Sequence, residues 1–407
     1  MHVLDELAAR GFVKQCSDLE GLRAHLDAGT IRYYAGFDPT ADSLHVGNLL
    51  PIMMMAHLQR AGHRPIVVVG GGTGMVGDPS GKTEARKLLD ADAVRHNLSC
   101  QRAQIARFLD LDPANGSLVL DNAEWLLELQ LIPFLREIGS AFSVNRMLAA
   151  EGYRQRMERG LSFIEFNYQI LQAYDFLVLF QKYGCTLQLG GDDQWGNILA
   201  GTDLIRRKAE GDAFALTLPL LTTATGQKMG KTHAGAVWLD AARYSPFEMY
   251  QFWYNCDDRD VVRFLKLYTF LPLEQIEAYA AVDGAALREA KHLLAFEATS
   301  LVHGAEAGEA ARRGALAMVG KAAAEDLPVH ALAPSALAEG VLLANVLAES
   351  GLAASASEGR RLIQGGGVRL GEERVTDAKR SLTAADVGEG VTLRVGKAKA
   401  VRLVGEA

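Results

Sequence analysis

Two short stretches of the chain combine glycine with groups that can hold phosphate. In DPTADSLHVGN (38–48), His45 and Asn48 stand where a helix is predicted to begin, with Thr40 upstream and Gly47 between them. A helix N-terminus carries unpaired N–H groups and positive partial charge, so anions settle there. The hydroxyl, imidazole and amide add side-chain donors, and Gly47 leaves room for a nucleotide to lie on the backbone. In GQKMGKT (226–232), Lys228 and Lys231 are three residues apart and flanked by glycines. Such a loop can move and bring two ammonium groups onto phosphates as charge develops. Singly, the first stretch is also what a capped helix with an exposed histidine looks like, and the second an ordinary surface turn. As a pair, about 180 residues apart at opposite ends of one α/β domain, they are far more specific.

A third stretch, FNYQILQAYDFLVLF (166–180), sets one acid in an apolar, aromatic run. An unpaired buried carboxylate costs several kcal/mol, so Asp175 needs water or a partner. If the run is helical, Tyr168, Gln172 and Asp175 fall at i, i+4 and i+7, one face carrying a phenol, an amide and a carboxylate. That face reads as a pocket wall; the plainer alternative is a solvated Asp175, or one paired with Lys182.

VVVGGGTGMVGDPSGKT (67–83) spells G-x-G-x-x-G through Gly72, Gly74 and Gly77, and nearly a phosphate-binding P-loop, with Val76 where the leading glycine belongs. A dehydrogenase reading fails on context. An earlier strand, IRYYAGF, precedes it; the 20 residues that follow are polar and helical; and Asp78 would face a pyrophosphate.

The elements that must position these groups follow from the pattern. IRYYAGF (31–37), PIVVVG (65–70), SLVLDN (117–122) and CTLQLGG (185–191) read as strands separated by helix-length segments, which implies a parallel α/β sheet. Asp42 or Ser43 is placed to cap a helix through LLPIMMMAHLQRAG. Periodicity near 3.6 over 246–320 predicts a helical domain, and Ala/Pro-rich 321–340 a linker. From 341, two short helices and glycine-turned strands form a small α+β module.

Composition excludes several classes. No apolar run approaches the roughly 20 residues of a membrane span, and the N-terminus lacks the apolar stretch of a signal peptide. Cys16, Cys100, Cys185 and Cys256 are too dispersed for a zinc site or a disulfide framework, which suits a reducing cytoplasm. Residues 359–407 hold ten Lys/Arg against six Asp/Glu in a chain of net charge −7, so the tail suits a polyanion partner.

On these motifs the sequence resembles the class I aminoacyl-tRNA synthetases. HVGN is similar to their HIGH signature and KMGKT to their KMSKS loop, with Asn48, Gly230 and Thr232 as departures. YYAGFDPTADSLHVGN, VGDPSGKTEAR, FNYQILQAYD, GGDDQWGN and KMGKT fall in the order found in the bacterial tyrosyl-tRNA synthetase family, and the likeness covers essentially the whole chain. The resemblance implies a Rossmann-like parallel-sheet catalytic domain (1–225, with a dimer-interface insertion about 120–160), a signature loop and connection (226–245), a helical domain contacting the anticodon stem (246–320), the linker and an S4-like RNA-binding domain (341–407). It implies that tyrosine is activated with ATP to tyrosyl-adenylate and pyrophosphate, then transferred to the terminal ribose of tRNA(Tyr). Tyr34 and Asp175 would bind the phenol hydroxyl, and Tyr168, Gln172 and Asp78 the ammonium. Asp38, Gly191, Asp193 and Gln194 would line the amino-acid and ribose sites. Thr40, His45, Gly47, Asn48, Lys82, Arg86, Lys228 and Lys231 would surround the nucleotide. Ala35 replaces a cysteine that touches the ribose in some relatives. Arg360, Arg361 and Arg369 would meet RNA. Mg²⁺ would accompany ATP without a dedicated metal cage, and the enzyme would be a cytoplasmic homodimer. The rivals are a tryptophan-specific relative, from which the acid–phenol pair and the S4-like tail separate it, and a non-catalytic RNA-binding protein, against which His45, Lys228 and Lys231 argue.

Overall fold

Runs of β-branched and aromatic residues with both faces apolar suit strands covered on both sides. The computed structural model describes residues 1–80, 91–158, 160–226, 229–232, 235–318, 327–396 and 399–406. Within them the chain divides into two compact units, Met1–Tyr244 with Cys256–Ala290, and Ser245–Asn255 with Lys291–Ala407.

The first unit is built on a six-stranded sheet of β1 (Gln15–Cys16), β2 (Arg32–Phe37), β3 (Arg64–Val69), β4 (Leu118–Asp121), β5 (Cys185–Gly191) and β6 (Phe214–Leu218), in the spatial order β1-β6-β5-β2-β3-β4. All neighbours are parallel except the edge pair β1–β6. The chain winds outward from β2 through β3 to β4, then returns to β5 on the other side of β2. The order therefore reverses between β2 and β5, and a crevice at that switch point, beyond the carboxyl ends of the strands, is where ligands bind in such sheets. Register sets Tyr34 between Ile66 and Gln188.

Helix Tyr168–Tyr183 ends on Gly184, whose φ of 65° lets its N–H reach the Leu179 and Phe180 carbonyls. It packs against helix Trp195–Ala209. Phe176 and Leu179 share a core with Ile66 and Val68 of the sheet and with Leu204 and Ile205. Helix Val46–Arg60 is buried along most of its length. Its N-cap is His45, not Asp42 or Ser43, because the Asn48 side-chain carbonyl accepts the His45 N–H at 3.0 Å. Ser43 is occupied otherwise, accepting from Gln104 and from the Asp240 N–H.

The stretch 246–320, predicted as one helical domain, splits. Cys256–Ala290 clusters with the sheet unit, while Pro246–Tyr254 packs on Ala305–Met318 in the second unit. Within the expected linker, 321–340, Pro334–Glu339 forms a helix and Val329–Leu332 a strand parallel to Lys399–Gly405. That strand completes a five-stranded sheet with Glu373–Val375, Val368–Leu370 and Val391–Val395. The partner lies some seventy residues away, so local pattern could not reveal the pairing. Leu343, Val346 and Leu347 of one short helix and Ile363 of the next share its core with Val368, Leu393 and Leu403.

Candidate active site

A cavity of about 720 Å³ opens at the switch point. At its floor Tyr34 projects from β2, buried, its ring 5.2 Å from that of Phe176. Among the described residues its hydroxyl has no hydrogen-bond partner. Asp175, 4% exposed, approaches from helix Tyr168–Tyr183. Its partners are Asn122, whose Nδ2 donates to Oδ2 at 2.9 Å, and Trp125, whose Nε1 donates to Oδ1 at 2.7 Å, rather than Lys182. These donors hold the carboxylate in place, but burial dominates and pushes its pKa up to about 7. Burial and the Asp175 charge push the Tyr34 phenol up as well. A carboxylate oxygen can accept more than one hydrogen bond and a phenol offers a donor and an acceptor. The site is therefore built for a further hydroxyl.

Neither Asn122 nor Trp125 was a predicted site residue. The available signal was position, since Asn122 directly follows β4 and Trp125 lies in the short helix Ala123–Leu126 after it, at the carboxyl edge where functional residues collect. Asn122 also fastens the glycine run: its Oδ1 accepts the Gly72 N–H at 2.8 Å and its Nδ2 reaches Thr73 Oγ1 at 2.9 Å. The Gly71 N–H donates to Asp121 Oδ1, and a Cβ at Gly71 would fall 2.1 Å from that oxygen. These glycines thus serve a tight turn packed on the Asp121–Asn122 corner. A short 3₁₀ turn, Thr73–Met75, follows them where a dinucleotide fingerprint needs a helix. Gln188 of β5 was missed too; it is buried on the cavity wall, its carbonyl oxygen without a partner among the described residues. A single amide flanked by leucines in the strand was its signal.

Above this floor the wall is acidic and amidic. Tyr168, Gln172 and Asp175 all face the cavity, as their spacing predicts. Tyr168 Oη lies 3.4 Å from both oxygens of Asp38. Asp78 accepts from the Ser80 N–H at 2.9 Å and from Gln194 Nε2 at 2.7 Å, and burial raises its pKa. Asn197 ties Gln172 to Gln194, donating to their carbonyl oxygens at 3.3 and 3.1 Å. Carboxylates and carbonyl oxygens set this closely favour a cationic ammonium group.

At the cavity mouth stand Thr40, His45, Gly47 and Asn48, at and before the start of helix Val46–Arg60, with Gly191 and Asp193 at the end of β5. A Cβ at Gly47 would lie 2.8 Å from the His45 ring and 3.1 Å from the Met229 carbonyl, so glycine is required. Met229 and Trp238 line the same mouth. Lys82, Arg86 and Lys228 lie outside the described residues, as does the side chain of Lys231, whose backbone forms a short ladder with Ala236.

In the second unit, Arg360 and Arg361 sit on helix Ala356–Gln364 and Arg369 on strand Val368–Leu370. Arg369 lies in register with Arg374 on one side and Arg394 on the other. Alternation with the core residues Val368 and Leu370 turns Arg369 to the outer face. Main-chain carbonyls, not carboxylates, hold two of the three: Gly366 accepts from Arg374, and Ala317 and Met318 accept from Arg394. Like charges opposite each other weaken a sheet.

The family described as tRNA synthetases class I (W and Y) matches residues 26–319, and the S4 domain matches 341–387. The chain is 50% identical over 393 residues to a tyrosine–tRNA ligase of Clostridium botulinum (strain Alaska E43 / Type E3), covering 96% of each. It is 51% identical over an alignment of 426 residues to a tyrosine–tRNA ligase of Desulfatibacillum aliphaticivorans, covering 99% of each. The solved structure of a C-terminally truncated mitochondrial tyrosyl-tRNA synthetase of Aspergillus nidulans is similar with a TM-score of 0.68 at 31% identity, over 76% of this chain and 92% of that one.

Proposed function

The chain belongs to the tyrosyl-tRNA synthetase family of the class I aminoacyl-tRNA synthetases, and from that premise we propose how its residues carry the reaction. It joins tyrosine to tRNA(Tyr) in two steps, the first of which consumes ATP. The observation that carries the residue assignments is the buried pair at the cavity floor, a phenol without a partner beside a carboxylate. A tyrosine side chain satisfies both. A phenylalanine leaves both short, and an unsatisfied buried group costs about 1–3 kcal/mol.

With the phenol at Tyr34 and Asp175, the substrate ammonium lies among Tyr168, Gln172 and Asp78, and Gln194 borders its carboxylate. A carboxylate oxygen attacks the α-phosphorus of ATP. The bond from that phosphorus to the bridging oxygen breaks, and pyrophosphate leaves with the electron pair. No side-chain nucleophile is needed; the protein contributes position and charge. The N-terminus of helix Val46–Arg60, with Thr40, His45 and Asn48, faces the phosphates. Lys228 and Lys231 would reach them from the loop, and Lys82 and Arg86 from the segment after Ser80. Asp38, Gly191 and Asp193 border the ribose. In the second step the terminal ribose hydroxyl of the tRNA attacks the acyl carbon and AMP departs.

Mg²⁺ would enter with ATP. Among the described residues no group of three or more His, Cys, Asp or Glu is set to hold a metal, so the phosphates and water would supply most of its ligands. Arg360, Arg361 and Arg369 would contact the tRNA backbone. Residues 127–164 carry Leu131, Ile132 and Phe163 at 64% exposure or more, which supports a homodimer through this segment; sedimentation showing only monomers at micromolar concentration would refute it. None of the described helices is long and apolar enough to cross a membrane, and work in translation places the enzyme in the cytoplasm.

The test is amino-acid-dependent ATP–pyrophosphate exchange with tyrosine, phenylalanine and tryptophan in parallel. Exchange with tyrosine alone is expected. Exchange driven by tryptophan would overturn the phenol pocket.

A further inference from the structure

Trp238 has no part in the scheme above, yet it lines the cavity mouth. Its segment is tied to the residues that begin helix Val46–Arg60. The Val46 N–H donates to the Val237 carbonyl at 2.9 Å, and the Leu239 N–H to the Leu44 carbonyl at 2.8 Å. The Asp240 N–H reaches Ser43 Oγ at 3.2 Å. These bonds bracket an antiparallel bridge in which His45 and Trp238 are directly opposite. Opposed residues of such a pair present their side chains on the same side. The two ring centroids are accordingly 6.3 Å apart, tilted by 58°.

The indole is braced in turn. The Arg243 guanidinium lies 4.8 Å from its centroid, within the range of a cation–π contact. Arg243 also pairs with Asp42 at 2.7 Å. Asp42, Arg243, Trp238 and His45 thus close a ring of contacts that begins and ends just ahead of the helix. The loop is anchored at its other end as well. The Met229 N–H donates to the Leu221 carbonyl at 2.9 Å, and the Val237 N–H to the Gly230 carbonyl at 3.0 Å. Gly230, with φ of 81°, passes so close that a Cβ would fall 2.8 Å from the Gly47 nitrogen. Gly230 of the KMGKT segment therefore lies directly against the N–H groups that start the helix.

We propose that Trp238 is a positioning residue for the activation step: it holds the His45 imidazole toward the nucleotide and ties the loop from Met229 to Leu239 to the start of the helix. This rests on the ligase reading of the cavity. Tyrosine binds at the far end, on Tyr34 and Asp175, so its affinity is independent of Trp238. What depends on Trp238 is the alignment of the phosphate-facing groups, where small displacements are costly.

The experiment is a double-mutant cycle of Trp238→Ala and His45→Ala, with Trp238→Phe and Arg243→Gln as milder variants. Trp238→Ala is expected to lower kcat for tyrosine-dependent ATP–pyrophosphate exchange by about 10- to 100-fold. Its Kd for tyrosine by equilibrium dialysis stays within about twofold. Trp238→Phe recovers most of the rate, and Arg243→Gln loses less. In the His45→Ala background, Trp238→Ala costs clearly less than in the unaltered chain, because the part of its effect that acts through His45 is already gone and only the loop tie remains. Losses that multiply in the double variant, or a tyrosine Kd that weakens in step with kcat, would overturn the proposal. The tie is also read without catalysis. Amide exchange at Val46, Val237 and Leu239 should rise together in Trp238→Ala; unchanged protection in that variant counts equally against it. No exchange activity in the unaltered chain would instead refute the ligase reading, while the amide measurement still tests the tie.

Discussion

Asp175 shows how a single side chain is tuned. Burial raises its pKa to about 7, against the two donors Asn122 and Trp125 that oppose the shift. Unfolded, it would titrate near 4. Between those values the folded chain holds a proton that the unfolded chain releases, so this group makes stability fall as pH rises through that window. Asp175→Asn should flatten that part of a Tm-against-pH profile, and an unchanged slope would refute the assignment. The ionised form is also the stronger acceptor for a phenol O–H. Tyrosine affinity should therefore rise as pH passes about 7, a dependence missing from Asp175→Asn, whose Tyr/Phe discrimination should drop at least about tenfold, the loss of one charge-assisted bond.

At the scale of elements, the site depends on two backbones meeting closely. Helix Val46–Arg60 offers its N-terminus only because Gly47 and Gly230 carry no side chains. Gly230 adopts a left-handed φ that costs an L-residue roughly 1–2 kcal/mol, apart from the clash with Gly47. Gly230→Ala should slow ATP–pyrophosphate exchange by about tenfold or more while Tm falls by only a few degrees. A full-rate variant would show that the loop does not work in this position.

For the whole molecule, the proposed activation site lies in the sheet unit, and the outer face of the C-terminal sheet carries Arg369, Arg374 and Arg394 in register. Removing one phosphate contact should reduce the slope of log K against log salt by nearly one. Arg369→Gln, whose side chain no carbonyl is seen to anchor, is the cleanest variant: tRNA(Tyr) binding should weaken with that smaller slope, while tyrosine activation continues at the full rate. An unaltered slope would remove this face from the RNA interface.

The elements and the order of the motifs were legible from the residues alone. Four strands, the helix carrying Tyr168, Gln172 and Asp175, and the glycine-flanked lysine loop follow from periodicity and turn chemistry, which act over a few residues. The apolar run around Asp175 even implied that this acid needed a partner. What the residues could not name was the partner. Asn122 and Trp125 lie about fifty positions away in sequence and reach Asp175 only because β4 and helix Tyr168–Tyr183 meet beside the same sheet. The helix cap is His45 rather than Asp42 or Ser43, because Asn48 caps the His45 N–H while Ser43 is engaged by Asp240. The strand Val329–Leu332 and the brace of Trp238 on His45 likewise exist only as pairings of distant segments. Local spacing decides which face a side chain takes, and only the closed topology decides what that face meets.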